Sequence, residues 1–340
     1  MKKTRKAFDK IHQKKNKRRN TMTLLDELKK HTTVVADTGD FSSIAKYTPT
    51  DATTNPSLIL SAALLDQYAP LVEEAIVFAK KTSNTKKMQI QTALERIFVN
   101  FGFEILQIIP GRVSIEVDAR LSFDKKKSIE KARRIIQLFE ERNIPRTRIL
   151  IKLASTWECI LAAKELEKEN IHCNMTLLFS LTQAIACAEA KATLISPFVG
   201  RILDWHKKKL GVDTIPAEKD PGVLSVKNIY HYYKKFGYKT QIMGASFRNI
   251  EEILQLTGCD LLTISPKLLE ELKNRKEPLQ SMLNQQSAQT SSHKKISIDK
   301  KLFHQLLEKD KMASEKLIEG INLFSKDIEK LEDMIKEKIS

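Results

Sequence analysis

One lysine of this chain stands inside an apolar segment, where its amine could act as a nucleophile. The segment RILIKLASTWE, residues 148–158, alternates like a strand, and Lys152 shares one face with Leu150 and Ala154. An amine among apolar side chains loses solvation that favours its charged form, so the neutral amine becomes available to attack a carbonyl. The alternative is that Lys152 extends into solvent from a strand edge, and these residues alone leave both interpretations open.

The residues after this lysine predict that its strand turns directly into a helix. Ser155 and Glu158 have the S-x-x-E spacing, in which a hydroxyl and a carboxylate satisfy the first amides of a helix. Lys152 therefore lies near the carboxyl end of a strand. In α/β proteins that end of the sheet is where functional side chains are usually placed.

Strand-like and helix-like segments alternate along most of the chain. One helix is predicted across residues 58–81, a second across 86–109 and a third across 223–236. The strand-like segments are VVADTG from 34, DATTNPS from 51, RVSIEVD from 112, RILIKLA from 148, CNMTLLF from 173, TLISPFV from 193, QIMGASF from 241 and LLTIS from 261. Eight such strand-helix units predict a closed (β/α)8 barrel, an α/β fold, with additional N- and C-terminal helices.

Composition excludes several classes of protein. The 340 residues are 41% hydrophobic, and the longest apolar run, LILSAALL from residue 58, is too short for the roughly 18 residues of a membrane span. The four cysteines have no C-x-x-C spacing and no nearby histidine pairs. We therefore expect neither a disulfide framework nor a zinc site, no membrane partner, and a reducing, cytoplasmic location.

Positive charge is concentrated at the N-terminus. Ten of the 58 basic residues and one of the 42 acidic residues lie in the first twenty positions, so +9 of the formal charge of +16 is there. The moderately basic remainder suits an anionic small substrate and does not require a nucleic acid.

Residues 1–21 are predicted to be a basic extension outside the fold. They have no apolar face that could join a core, so they are expected to be disordered or to precede a natural start at Met22. The alternatives are a contact with RNA or an anionic surface, and a targeting peptide. Residues 22–340 are expected to form one domain.

The C-terminal part is predicted to add a loop and a helix to the barrel. The polar run 285–295 is expected to be an exposed loop without regular structure. The helix, about residues 302–339, has one apolar stripe, which consists of Leu317, Ile321, Phe324, Ile328, Leu331 and Ile335. We expect it to pack on the barrel because the stripe is too short for an independent coiled coil.

Polar residues occur at or near almost every predicted strand end, where a buried strand would favour Val or Ile. They are Asp37, Thr53, Asn55, Glu116, Lys152, Asn174, Thr176, Ser196, Ser246 and Arg248. Each one alone could be a helix cap or a satisfied core group. A barrel would bring them together at one opening, and Arg201 and Arg248 follow the sixth and seventh strands, where barrels often bind phosphate.

Several long motifs together resemble the transaldolase family from about Met22 to Ser340. They include ADTGDF, DATTNPSLIL, SIEVD, RILIKLASTWE, CNMTLLFS, LISPFVGR and MGASFRN, in this order. The resemblance implies that Lys152 forms a Schiff base, that Asp37 and Glu116 are the acid-base carboxylates, and that Thr176 helps to position a catalytic water. It also implies that eight residues contact the substrate, and these are Thr53, Asn55, Asn174, Ser196, Phe198, Arg201, Ser246 and Arg248.

The resemblance also implies an activity and its partners. The expected enzyme is a transferase of the pentose phosphate pathway that moves a dihydroxyacetone unit between sugar phosphates, without a metal or other cofactor. A homodimer is possible, and so is an added role of the basic extension in binding nucleic acid. The alternative within the superfamily is a fructose 6-phosphate aldolase, in which a tyrosine and a glutamine are expected at the positions of Phe198 and Glu116.

Overall fold

Eight parallel strands form a closed barrel, as the sequence predicts. A computed structural model of the chain describes residues 22–339, so the predictions for 1–21 lie outside the described residues. The strands follow chain order around the barrel, and β8 pairs with β1 to close it. They are β1 Thr33–Asp37, β2 Asp51–Thr53, β3 Val113–Glu116, β4 Ile149–Ala154, β5 Cys173–Leu178, β6 Leu194–Pro197, β7 Gln241–Gly244 and β8 Leu261–Ile264.

The described residues form fifteen α-helices in addition to the barrel strands. They are α1 Leu24–Leu28, α2 Phe41–Tyr47, α3 Pro56–Ala63, α4 Ala69–Thr82, α5 Lys86–Ile108, α6 Lys125–Glu140, α7 Trp157–Lys168, α8 Leu181–Glu189, α9 Val199–Leu210, α10 Pro221–Lys235, α11 Ile250–Gln255, α12 Pro266–Asn274, α13 Gln285–Gln289, α14 Lys300–Lys309 and α15 Lys311–Ile339. Within residues 22–339 no helix has the length and apolar character to cross a membrane.

The interior of the barrel changes from apolar to polar along its strands. The lower layer of inward side chains consists of Val35, Leu150, Leu194, Met243 and Leu261. Side chains two positions further along a strand point the same way. On four of these strands that next inward position is polar, and the residues are Asp37, Lys152, Ser196 and Thr263. The apolar layer therefore forms a floor beneath a polar upper layer at the carboxyl ends of the strands.

The prediction of one continuous helix across residues 58–81 is wrong, because this segment forms two helices, α3 and α4. A short 3-10 helix, Asp66–Tyr68, separates them, and Pro70 lies in the first turn of α4. Tyr68 is buried, and its hydroxyl donates to Asp40 Oδ1 at 2.7 Å while it accepts from Phe41 N at 2.9 Å. This tertiary anchor and the preference of proline for a first turn together explain the break.

The predicted cap after β4 is shifted by one residue. Thr156, not Ser155, is the N-cap of α7, and its Oγ1 accepts from Cys159 N at 3.2 Å. Ser155 Oγ instead donates to Thr176 O at 2.8 Å on the neighbouring strand. The S-x-x-E prediction was therefore wrong, because the sheet uses the hydroxyl that the local pattern assigned to the helix.

The C-terminal segment contains more helix than predicted. Residues 285–295 are not wholly irregular, because α13 begins there after Asn284, whose Oδ1 accepts from Ser287 N at 2.8 Å. The single helix expected near 302–339 is two helices, and Asp310 separates them and accepts from Ala313 N at 3.0 Å. The stripe on α15 is buried, so the prediction that it packs on the barrel is confirmed.

Polar contacts attach α15 to segments that follow three different strands. Trp205 Nε1 donates to Glu315 Oε2 at 2.7 Å, and Ser57 Oγ donates to Asp327 Oδ2 at 2.5 Å. The Arg120 guanidinium contacts both oxygens of the Glu332 carboxylate, at 3.0 and 2.7 Å. Because these partners follow β6, β2 and β3, α15 lies across the open end of the barrel.

Candidate active site

A cavity of about 60 Å³ lies at the carboxyl ends of the strands. Its lining includes eight of the residues predicted from sequence, and these are Asp37, Thr53, Asn55, Lys152, Ser196, Phe198, Arg201 and Ser246. Four lining residues were not predicted as site residues, and these are Met243, Ala245, Thr263 and Phe324. Eight of the predicted side chains therefore meet at this cavity, whereas Glu116, Asn174, Thr176 and Arg248 are not among its lining residues. The roles of all twelve stay predictions.

Lys152 points into the barrel and contacts a carboxylate there. It is the register partner of Glu116, and its Nζ lies 2.9 Å from Glu116 Oε2. Nζ also donates to Thr54 O at 3.0 Å. The side chains of Lys152 and Glu116 are only 6% and 3% exposed. A closed barrel has no edge strand, so the alternative of a lysine extending into solvent from an edge does not apply.

Asp37 enters the same cavity from β1. Thr53 Oγ1 lies within hydrogen-bonding distance of two oxygens, Asp37 Oδ1 at 3.0 Å and Thr263 Oγ1 at 2.8 Å. Desolvation in the cavity raises the pKa of Asp37, and the charge of Lys152 opposes this most strongly. Three strands thus hold one carboxylate beside the amine through short polar contacts.

Desolvation also raises the pKa of Glu116, and the positive charge of Lys152 again opposes this increase. The two carboxyl groups repel each other, and Arg201 favours the charged form of both. One amine therefore has two proton-accepting groups nearby, each with an increased proton affinity. This combination is suited to acid-base chemistry around a nucleophilic amine.

The inner wall of the barrel beside Lys152 is formed by β5 and β6. Asn174, the register partner of Lys152 on β5, donates through Nδ2 to Ser114 Oγ at 3.0 Å and accepts from Ser196 Oγ at 2.6 Å. Within residues 22–339, Thr176 Oγ1 is buried without a hydrogen-bond partner, and Glu116 Oε2 has none apart from its ion pair of 2.9 Å with Lys152 Nζ. Both oxygens can therefore still bind a small polar group.

An irregularity in β5 sets the position of Thr176. The register with β6 shifts between Met175 and Leu178, and Leu177 has a left-handed backbone with φ of 51°. The Gln183 side chain holds this turn, since Nε2 donates to Leu177 O at 3.2 Å and to Ser155 O at 3.0 Å. Gln183 was not predicted from the sequence, because a lone glutamine in a helical segment offers no signal for such a role.

Aromatic rings and an arginine form the other side of the cavity. The rings of Phe198 and Phe179 meet edge to face with their centres 5.5 Å apart. The Arg201 guanidinium lies 4.9 Å from the centre of Phe198 and 5.5 Å from that of Phe324. Phe324 was predicted from the sequence only as a member of the apolar stripe of the C-terminal helix. Its position in the cavity follows from the docking of α15.

The two arginines predicted to bind phosphate occupy different positions. Arg201 lines the cavity, whereas Arg248 lies at the rim with its side chain 40% exposed and paired with Asp204 at 2.7 Å. Arg248 also donates to Ser246 O at 3.1 Å, from a turn in which Ser246 has φ of 62°. Burial and then the charge of Arg248 lower the pKa of Arg201, so a bound anion would relieve the repulsion between them.

Among the described residues, no group of three or more His, Cys, Asp or Glu side chains is arranged to hold a metal ion. The four cysteines are free and buried. Burial raises the pKa of Cys159 to about 11, so this thiol is protonated near neutral pH.

Comparisons with known proteins agree on one family. Residues 34–335 match the family model described as Transaldolase/Fructose-6-phosphate aldolase. The chain is 58% identical to a transaldolase of Rattus norvegicus over 324 residues, which cover 95% of this chain and 96% of that protein. It is 57% identical to a transaldolase of Saccharomyces cerevisiae over 332 residues, with 96% and 98% coverage. A bacterial transaldolase, from Protochlamydia amoebophila, is 58% identical over 312 residues, with 92% and 97% coverage. The chain therefore belongs to the transaldolase family, whose members are enzymes of the transferase class.

Proposed function

We propose that this enzyme transfers a dihydroxyacetone unit from sedoheptulose 7-phosphate to glyceraldehyde 3-phosphate through a Schiff base on Lys152. The products are erythrose 4-phosphate and fructose 6-phosphate, which places the reaction in the pentose phosphate pathway. The observation that carries this proposal is the contact of 2.9 Å between the amine of Lys152, which lines the cavity, and the buried carboxylate of Glu116 beside it.

The first step needs a neutral amine and a proton donor. Glu116 accepts the proton of Lys152, and Nζ then attacks the ketone carbon of the substrate to give a carbinolamine. The same carboxyl group returns the proton to the carbinolamine hydroxyl, which leaves as water, and the iminium forms. A water bound between Glu116 and Thr176 would relay these protons, since each residue has a buried oxygen that can hydrogen bond to it.

The second step breaks a carbon-carbon bond. Asp37 accepts the proton of the C4 hydroxyl, the C3–C4 bond breaks, and its electrons move into the iminium to give an enamine on Lys152. The aldose phosphate leaves. Asp37 then returns its proton to the aldehyde oxygen of the acceptor as the new bond forms. The aromatic wall of Phe198 and Phe324 limits water near the enamine between the two half-reactions.

Polar groups around the cavity would bind the substrate. Asn174 and Ser196 are suited to the hydroxyl groups of the three-carbon unit, because they form one hydrogen-bonded pair beside Lys152. Asn55 uses Oδ1 to cap α3, accepting from Leu58 N at 2.9 Å, so its amide N–H groups can donate to a ligand. Arg201 and Arg248 would bind the phosphate, with Ser246 between the cavity and the rim.

Trapping the intermediate tests this proposal. Borohydride added to the full chain with fructose 6-phosphate reduces an imine to a stable amine, and mass spectrometry of the peptides then locates the adduct. We expect a single substrate-dependent adduct on Lys152. An adduct on a different lysine, or none under conditions of full activity, contradicts the proposal.

A fructose 6-phosphate aldolase is the second candidate because the family model covers both activities. Phe198 and Glu116 favour the transaldolase, since a tyrosine and a glutamine are expected there in the aldolases. The test compares the release of free dihydroxyacetone with transfer to erythrose 4-phosphate. Release at a comparable rate would favour the aldolase.

We also infer a cytoplasmic location. The support is the state of the cysteines, which are free and buried, as is usual in a reducing compartment.

A further inference from the structure

Two buried carboxyl groups lie behind the rim arginine, outside the cavity. Asp220 is the N-cap of α10 and is 1% exposed, and Glu252 is on α11 and is 0% exposed. Asp220 Oδ1 accepts from Gly222 N at 2.7 Å. Glu252 Oε2 accepts from the backbone N of Arg248 at 2.8 Å. The mechanism proposed above uses neither residue.

One oxygen of this pair is buried without a partner in hydrogen-bond geometry among residues 22–339. It is Asp220 Oδ2, whereas the backbone N–H groups of Gly222 and Val223 stabilise the charged form of the carboxyl. The Glu252 side chain is within hydrogen-bonding reach of the Asp220 carboxyl. Two carboxylates cannot donate to each other, whereas a carboxylic acid and a carboxylate can share a hydrogen bond. A single shared proton therefore satisfies the buried oxygen and removes one negative charge from the interior.

We propose that Asp220 and Glu252 share one proton, and that this proton keeps the Arg248 turn in position for phosphate binding. The second part rests on the phosphate role given to Arg248 above. Both are positioning residues, because they act on the substrate only through the turn. Loss of the proton leaves two buried negative charges, which repel each other and loosen the turn.

Tight backbone packing connects the pair to the phosphate site. Gly200 N donates to Ser246 O at 2.9 Å, and a methyl group on Gly200 would lie 2.7 Å from Arg248 Cγ. A methyl group on Gly222, next to the Asp220 cap, would lie 2.8 Å from Val199 Cα. The starts of α9 and α10 and the Arg248 turn are therefore in direct contact, so a shift of Asp220 reaches the turn.

Few other charges face the pair. Arg248 is on the turn held by Glu252, its side chain is paired with Asp204 of α9, and His206 of α9 faces Asp220. Burial lowers the pKa of His206, so this side chain is neutral near pH 7. Glu218 and Lys219, on the 3-10 helix just before Asp220, are exposed.

The pH range follows from the proton affinity of the pair. Burial raises the pKa of Glu252 from 4.5 to about 7, and the charge of Asp220 adds to this. Burial also raises the pKa of Asp220. Between pH 4.5 and about 7 the folded protein thus holds a proton that the unfolded chain has lost. The contribution of this pair to the free energy of unfolding therefore falls as pH rises through this range and becomes level above it.

Thermal unfolding of the full chain from pH 5 to 8.5 tests the shared proton. In Glu252→Gln the amide can donate to Asp220 Oδ2 and still accept from Arg248 N, but it loses the contact of 3.3 Å that Glu252 Oε1 accepts from Asn249 Nδ2. Asp220→Asn keeps the cap while donating to Glu252. We expect Tm to fall with pH more steeply in the wild type than in either variant. Glu218→Gln, an exposed neutralisation close by, is the matched control and should follow the wild type. Equal pH profiles for all four proteins overturn the proposal.

Steady-state kinetics test the link to phosphate. The phosphate of fructose 6-phosphate itself titrates near pH 6, but equally for every variant, so the ratio of the wild-type KM to the Glu252→Gln KM isolates the pair. We expect this ratio to rise about fivefold from pH 6 to 8.5. A constant ratio overturns the positioning role even if the Tm profiles differ. If Arg248→Ala does not change the KM, the phosphate role of Arg248 fails instead, and the Tm profiles still decide whether the proton is shared.

Discussion

Lys152 Nζ lies 2.9 Å from Glu116 Oε2, and the two residues are register partners on β4 and β3. Because strand pairing sets this contact, it does not depend on a flexible loop. The amine and the carboxylate proposed as its proton acceptor are thus held together before any substrate binds. Such preorganisation is effective for catalysis because no free energy is spent on reorganising the groups during the reaction.

Lys152→Arg should abolish transfer. Arginine keeps the positive charge beside Glu116, but its guanidinium stays protonated and cannot form an imine. We expect no measurable activity and no adduct after borohydride treatment. Lys168→Arg, on the exposed end of α7, is the control and should retain full activity. Residual transfer by Lys152→Arg at a rate close to that of the wild type would exclude the imine mechanism.

Glu116→Gln should slow imine formation and leave the fold intact. Glutamine has the same size but can neither accept the proton of Lys152 nor protonate the leaving hydroxyl. The loss of one acid-base group usually lowers a rate by about 100- to 10,000-fold, and we expect kcat to fall within this range. Single-turnover trapping measures the step directly. An unchanged trapping rate would show that Glu116 takes no part in imine formation, and Glu158→Gln is the matched control.

Arg201→Lys should weaken phosphate binding specifically. Lysine keeps the charge but loses both the planar donor pattern and the stacking on Phe198 and Phe324. We expect the KM for fructose 6-phosphate to rise about tenfold or more, which corresponds to one charged hydrogen bond. The KM for glyceraldehyde, an acceptor without phosphate, should change little. Equal increases for both substrates would argue against a phosphate contact.

Gly200→Ala should destabilise the protein and displace Arg248. The added methyl group would meet Ser246 O, a backbone atom, and lie 2.7 Å from Arg248 Cγ. We expect a loss of about 1–3 kcal/mol in the free energy of unfolding, together with a higher KM for fructose 6-phosphate. Gly211→Ala separates the two effects, because Gly211 has φ of 66° but no neighbour within 4 Å. Gly211→Ala should lower the free energy of unfolding and leave the KM unchanged. An unchanged KM in Gly200→Ala would disprove the effect on Arg248.

Local patterns were sufficient to predict the barrel and most of the cavity lining. Eight strand-helix units appear in the sequence because buried parallel strands need apolar runs between amphipathic helices. The position of Lys152 at the carboxyl end of its strand followed from the same alternation. Local patterns failed at Ser155, where a neighbouring strand uses the hydroxyl, and near residue 66, where Tyr68 anchors a turn to a distant segment.

The sequence by itself determined which side chains share one face of a regular strand, because side-chain direction there alternates with a period of two. Only the tertiary structure decided which of them touch. Strand register brings Glu116 to Lys152, the docking of α15 brings Phe324 into the cavity, and the packing of α11 against Asp220 buries a second acidic pair. Such contacts join segments far apart in the chain. They depend on barrel closure and helix packing, which leave no periodic signal at the residues involved.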